Sequence, residues 1–376
     1  MEPFETARRL AAVFPFYTTT RSSQPVSVIM VDASFSSQEQ EELILAGRVP
    51  PVPLIEGWLP GGNAELDGGG GDDPSTTIVP MDARALSQME RQVLARVRTH
   101  YEEVLLGGDD DGPAFDNLPE EMVCRVLRTM MKRHSDKPRD VPIQTAEMLM
   151  ATLKWRKSID ADSLITRTLE HTAEYHGGWP TRVLYATDKH GRMLVYDSIA
   201  SIDSEYLRMI SPEEVELLHA QLLECISIER RRRCAMSPAR MRVYSHLHIL
   251  DLEGFSLVDA MKEHVLRTCK TIFGLSKRHF TGCVYKIYIV NCPLAFYVMW
   301  NVLAPWLPHD TIAKIRFIRG SGIDELGRDE GVDRSSLPAW MGATPRGMPM
   351  VGGDERNGLL VSDLVASERQ RRHHAQ

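Results

Sequence analysis

Between Ile287 and Pro308 the chain runs for 22 positions without a charged residue, and this stretch limits the fold more than any other. By length alone it could cross a bilayer as one helix, which needs about 20 apolar residues. Its contents argue otherwise: Asn291, Pro293, Asn301, Pro305 and Pro308 interrupt it. Its first part continues a β-rich run, Tyr285-Lys-Ile-Tyr-Ile-Val290, that ends at Asn-Cys-Pro. The spacing therefore predicts a buried strand followed by an apolar helix. A chain that hides both needs a layered domain around them.

The segments around that stretch alternate in the same way. Val183–Tyr185 and Met193–Tyr196 read as strands joined by the turn Asp188-Lys-His-Gly191. Ser211-Pro-Glu-Glu214 is a capping box with proline at the first helical position, and it opens a helix reaching about Arg232. Then come strand Val243–Leu250, helix Leu257–Phe273, the strand to Val290, helices Leu294–Leu303 and Asp310–Lys314, and strand Ile315–Ile318. Strands alternating with helices predict an α/β domain with a mainly parallel sheet. Before it, Ser87-Gln-Met-Glu90 caps a first helix, and further helices are expected near 117–132, 142–157 and 163–174. The expected organisation is a largely irregular N-terminal extension (1–85), a small all-helical region (86–174), the α/β lobe (175–345) and a flexible tail (346–376). Arg8-Arg9 before Leu10–Phe14 has the look of a secretory leader, but Pro15 cuts the apolar run too short.

Composition removes several function classes. A net charge of −7 and a pI near 6.0 leave no broad basic footprint for nucleic acid. The six cysteines form no CxxC pair and no zinc spacing, so they read as free thiols in a reducing compartment. No phosphate-binding, nucleophile-elbow or metalloprotease motif is present, and no enzyme is expected. Gly320-Ser-Gly322 reads as a tight turn, and His171 and His176 as helix-end residues.

Three features carry chemistry. His246 and His248 stand two apart in a strand, sharing a face with Leu250 while Leu247 and Ile249 take the other. They are either hydrogen-bonded core histidines or the lining of a cavity that holds a polar head, a metal or an iron cofactor. Phe296, Tyr297, Trp300, Leu303, Trp306 and Leu307 make a helix apolar nearly all round, fit for a core or for a bilayer interface. Arg230 to Arg233 is a basic run at a helix C-terminus, either a solvated helix end or a membrane patch.

The order of these elements, taken with several short motifs, resembles the CRAL-TRIO family of phosphatidylinositol/phosphatidylcholine transfer proteins and their relatives. The motifs are Asp188-Lys-His-Gly-Arg192, Ile249-Leu-Asp-Leu-Glu-Gly-Phe-Ser256, Lys286-Ile-Tyr-Ile-Val-Asn-Cys-Pro293, Thr311-Ile-Ala-Lys-Ile315 and Leu337-Pro-Ala-Trp-Met-Gly342. The resemblance covers about residues 116–345. It implies a lobe with a deep apolar pocket floored by the sheet, closed by a helical gate, with no cofactor required. Phe296, Trp300, Leu303, Trp306 and Leu307 would then form the gate and its membrane-facing flank. The implied partners are a lipid or other hydrophobic small molecule, transiently a membrane surface, and a protein partner on residues 1–85; the implied location is cytoplasmic and peripheral to membranes.

Departures from the family pattern qualify the ligand. Lys314 stands where phosphoinositide-binding members carry a head-group lysine, but their Glu-Arg pair is replaced by Gly282-Cys283 and a lead-in arginine by Met130. Where phosphatidylcholine binders carry Ser and Thr, this chain has His246 and His248. A ligand other than the conventional pair of phospholipids is expected, with His246, His248, Lys314, Tyr285 and Tyr288 around its head. Haem or another metalloligand on His246 and His248 is the alternative, since imidazole is the commonest protein ligand of haem iron. A filled pocket serving as a protein-interaction scaffold is the third reading.

Overall fold

The computed structural model describes residues 86–106, 112–199, 202–236, 243–338, 341 and 359–374. The extension expected over residues 1–85, its partner role, and the Gly342 end of the last motif lie outside these residues.

The helical region is built from α1 (Gln88–Leu106), α2 (Glu120–Arg133) and α3 (Val141–Ser158). The expected capping box starts α1: the Ser87 N–H donates to Glu90 Oε2 at 2.7 Å and the Glu90 N–H to Ser87 Oγ at 3.1 Å. Val97, Tyr101, Leu127 and Leu149 are fully buried between the three helices. Met89 and Val104 of α1 are exposed. Arg125 fastens this region to the lobe, donating to the backbone carbonyls of Thr281 at 2.6 Å and His279 at 3.3 Å.

A helix was expected over Ser163–Glu174, but the chain makes a run of turns and then α4 (Thr172–Gly178). His171 takes left-handed backbone at φ 55° just before α4, which stops any helix from running through. The lobe follows as β1 (Thr181–Thr187), β2 (Met193–Ser198), α5 (Ser204–Arg208), α6 (Pro212–Met236), β3 (His246–Asp251), α7 (Leu257–Ala260), α8 (Glu263–Arg278), β4 (Val284–Val290), α9 (Phe296–Leu303), α10 (His309–Ile312), β5 (Ile315–Phe317) and α11 (Ile323–Glu330). The single helix expected from Leu257 is two, because Lys262 adopts extended backbone between them.

The sheet runs in the order β5-β4-β3-β2-β1-β6, where β6 is Leu359–Leu360. The β2/β3, β3/β4 and β4/β5 pairs are parallel; β1 pairs antiparallel with β2 and β6. Here the tail departs from expectation. Residues 359–374 form β6 and the helix α12 (Val361–His374), with Val361, Leu364 and Val365 buried against α6. These aliphatic positions lie three to four apart, which is why the segment finds a docking face.

One sheet face packs Leu184, Leu194, Tyr196, Leu247, Ile249 and Tyr288 against Ile323 and Leu326 of α11. The opposite face looks toward α6, α8 and α9 and does not close completely. Among the described residues no helix is long and apolar enough to cross a membrane, so the uncharged stretch resolves into β4 and α9 as the sequence predicts.

Candidate functional site: a cavity over the sheet

The incompletely closed face encloses a cavity of about 710 Å³, within the range that holds one small amphiphile. Its floor is the inward side of β2, β3 and β4: Val195 and Asp197, then His246, His248 and Leu250, then Ile287 and Ile289. α6 and α8 form walls through Leu222, Ile226, Cys269 and Phe273. The roof is α9, which turns Phe296, Met299, Trp300 and Leu303 inward, with Leu307 beyond. Phe296 lies tilted and Trp300 edge-to-face against Phe317, with centroids 6.3 and 5.1 Å from it. Trp306 is half-buried in the same apolar cluster but does not line the cavity.

Period-two alternation puts His246 and His248 on the floor side, as the sequence predicts, with Leu247 and Ile249 on the other. Their rings lie 5.9 Å apart. His248 Nε2 donates to Asp197 Oδ2 at 2.9 Å, and Thr181 Oγ1 donates to Asp197 Oδ1 at 2.6 Å. Burial pushes the Asp197 pKa up, but the His248 charge and these hydrogen bonds outweigh it and hold the carboxyl below its usual range. Burial holds His246 well below the ordinary imidazole value, helped by His248, Arg230 and Lys314, so it is neutral. Its Nδ1 meets no hydrogen-bond partner among the described residues. His219 of α6 also faces the cavity, 2.8 Å through Nδ1 from the Tyr175 hydroxyl, and burial lowers its pKa to about 4.

A cationic end lies elsewhere on the wall. Lys314 lines the cavity and donates through Nζ to the Val284 carbonyl at 3.0 Å. Its pKa is lowered, first by burial and then by Lys132 and Arg133, with Asp310 opposing. Arg133 of α2 donates to Asp310 Oδ1 at 2.8 Å and to Thr281 Oγ1 at 3.0 Å, and all three residues line the cavity.

One expectation is corrected. Tyr285 and Tyr288 are not at the ligand's head; they sit on the far side of the sheet. A register shift at the start of the β3/β4 ladder pairs His246 with Val284 and Leu247 with Lys286, leaving Tyr285 as the extra residue of a bulge. Tyr285 stacks under Arg192, 3.7 Å from its guanidinium carbon, and Tyr288 donates to the buried Glu330 at 2.6 Å. The basic run Arg230–Arg233 is open only in part. Arg230 is buried beside Glu121, Arg231 is 3.7 Å from the same carboxylate, and Glu229 holds Arg232 and Arg233, each at 2.7 Å. Four guanidinium groups thus face two carboxylates, with Arg231 and Arg232 exposed.

Sequence reasoning missed Thr181, Asp197, His219, Arg133 and Asp310. For Asp197 a signal existed: it stands two positions after the inward Val195 in a strand, where an acid needs partners. The others meet the cavity only through tertiary packing. Cys269, the thiol on the wall, is pushed up to about 12 by burial and stays protonated.

Residues 181–342 match the family model described as the CRAL/TRIO domain. The chain is 24% identical over 208 residues to the CRAL-TRIO domain-containing protein YKL091C of Saccharomyces cerevisiae, covering 53% of this chain and 65% of that protein. It is 23% identical over 200 residues to the Sec14 cytosolic factor of Schizosaccharomyces pombe, covering 53% and 68%, and 26% identical over 268 residues to Protein real-time of Anopheles gambiae, covering 69% and 35%. The matches thus span about a third to two thirds of these relatives. The crystal structure of Sfh5 shares the fold at a TM-score of 0.50 and 14% identity, over 77% of this chain and 99% of that one.

Proposed function

Since the chain belongs to the CRAL-TRIO family through residues 181–342, we propose that it binds a hydrophobic ligand in the cavity over its sheet and carries or presents it at membranes from the cytoplasm, with α9 as the gate. One observation carries this reading: a helix without charge roofs a cavity whose tail-facing walls are apolar. A two-chain lipid has on the order of 30 methylenes at ~0.8 kcal/mol each, so its passage through water would cost ~20 kcal/mol or more. A carrier must replace the bilayer's contacts and keep water from the tails, and Phe296, Met299, Trp300 and Leu303 supply that lid. The role is binding without chemistry.

The ligand in this proposal is not the conventional pair of phosphatidylinositol and phosphatidylcholine. Where the inositol-binding pattern needs two charged side chains, Gly282 has no room for any: a Cβ there would stand 2.8 Å from both Arg125 O and Thr129 Oγ1. Cys283 beside it is buried. Lys314 remains as the one head-group residue of that set. A second reading, haem or another metalloligand, rests on the unpartnered, buried Nδ1 of His246.

The test is native mass spectrometry of the purified chain beside its absorbance spectrum. Added lipid-sized mass without colour, together with transfer between vesicles, is the expected result. An intense haem band abolished by His246→Leu would favour the second reading. Bare chain mass with no transfer of any lipid would overturn both and leave the scaffold.

A further inference from the structure

One ring breaks the apolar wall that α6 turns toward the cavity. His219, Leu222, Leu223 and Ile226 line it at helical spacing, and His219 is the polar member of that stripe. It is 9% exposed, so its imidazole has left water with few ways to recover its hydrogen bonds. Nδ1 stands 2.8 Å from the hydroxyl of Tyr175, which projects from α4. Nε2 makes no hydrogen bond among the described residues and, unlike Nδ1 of His246, is not sealed from the cavity. Buried polar groups are normally paired, and an unpaired one facing a cavity points to a group that arrives with the ligand.

Tyr175 decides which nitrogen of His219 carries the proton. The tyrosine is fully buried, and His219 is the one hydrogen-bond partner of its hydroxyl among the described residues. A buried O–H left undonated is costly, so the hydroxyl donates and Nδ1 accepts. The ring is neutral, because burial lowers its pKa to about 4. A neutral imidazole that accepts at Nδ1 holds its hydrogen on Nε2. The wall thus presents one fixed N–H to the ligand.

What that N–H can meet is restricted. An alkyl chain would leave it unpaired in a dry cavity. An ammonium brings only donors. An anionic oxygen would enter the field of the ionised Asp197, which faces the same cavity and acts on His219 electrostatically. A carbonyl oxygen accepts, carries no charge and brings no donor that needs a partner of its own. We infer that His219 Nε2, with its proton set by Tyr175, is a subsite for an uncharged carbonyl oxygen of the ligand, distinct from the cationic end at Arg133 and Lys314. The ligand is then a long-chain ketone, aldehyde or ester. This inference rests on the carrier reading above.

The experiment offers the full chain four probes of one length from cyclodextrin: a long-chain methyl ketone, a methyl ester, the secondary alcohol made from the ketone and the matching alkane. Binding is followed by the fluorescence of Trp179 and Trp300, which line the cavity. The infrared carbonyl stretch of bound ketone or ester, isotope-labelled to stand clear of protein bands, reads the hydrogen bond directly. It should lie at lower frequency than in alkane solvent, and the probe with the larger shift tells a free carbonyl from an acyl one. His219→Phe should return the band to its solvent position. The same variant should cut the ratio of carbonyl-probe to alkane affinity about fivefold or more, with alkane binding kept as proof of a folded pocket. Tyr175→Phe, which lets the proton sit on either nitrogen, should split or weaken the shifted band. A stretch at its solvent position for both carbonyl probes in the unaltered chain would overturn the subsite and leave the carrier intact. So would a shift that survives His219→Phe, or an alcohol-to-alkane ratio that this variant cuts as much as the ketone's. Binding of none of the four would overturn both.

Discussion

Arg133 and Asp310, separated by 177 residues in sequence, form an ion pair at 2.8 Å that ties α2 to the short helix just after the roof. Both side chains are mostly buried and both face the cavity. Removing either partner leaves a desolvated charge or donor behind. Asp310→Asn should cost about 1–3 kcal/mol in urea unfolding and speed ligand exchange with vesicles, because the segment beyond α9 loses its anchor. Arg133→Met should cost more, since it also releases Thr281. Unchanged exchange rates in both variants would show that the pair does not restrain the roof.

Gly282 links the helical region to the lobe by its lack of a side chain. Its φ of +80° lies where other residues are strained, and an added Cβ would press on the Arg125 carbonyl, which is backbone and cannot swing away. Gly282→Ala should therefore destabilise by about 2–4 kcal/mol, read from the urea midpoint. A shift below about half a kcal/mol would mean that the junction adjusts freely.

These two sites mark where sequence legibility stops. Period-two alternation was enough to place His246 and His248 on one face, and capping boxes at Ser87 and Ser211 located two helix starts. Local rules reach that far because each depends on neighbours within four residues. Alternation with the inward Ile287 and Ile289 puts Tyr288 on the other face, but the bulge that carries Tyr285 there too depends on pairing with β3, and no pattern inside β4 announces it. Likewise Glu121, the partner of Arg230 and Arg231, comes from another helix, whereas Glu229 stands within four residues of Arg232 and Arg233 and was open to the local helix rule. Arg133 and His219 become cavity residues only once α2 and α6 have packed against the sheet.

Acid should weaken the fold in a definite window. Burial lowers His176 and His219 from the ordinary imidazole value of 6.5 to about 4. Above pH 6.5 both are neutral in folded and unfolded chains, and their contribution is fully present. As pH falls from 6.5 toward 4, the unfolded chain takes up protons that the folded chain refuses, so stability drops. The slope is about 1.4 kcal/mol per pH unit for each histidine. His176→Phe should flatten the pH dependence of urea stability across that window. An unchanged slope would show that the ring is not held neutral.

The C-terminal segment gives the last prediction. Strand β6 pairs with β1 through Val183↔Leu359 and Arg182↔Leu360, and α12 then buries Val361, Leu364 and Val365 on α6. Ending the chain before Leu359 would turn β1 into an open edge, with its backbone groups free to pair with another chain. It would also uncover apolar surface on α6. Each lost aliphatic side chain is worth about 1.5–3 kcal/mol of burial, offset by the entropy regained when the helix is released. The urea midpoint should fall. Light scattering should rise with protein concentration as the bared edges pair. The helix α6 that α12 covers also lends Leu222 and Ile226 to the cavity wall, so ligand binding by the shortened chain should weaken below its unfolding midpoint. An unfolding curve superimposable on that of the intact chain, with no added scattering, would show that β6 and α12 contribute nothing to the sheet they border.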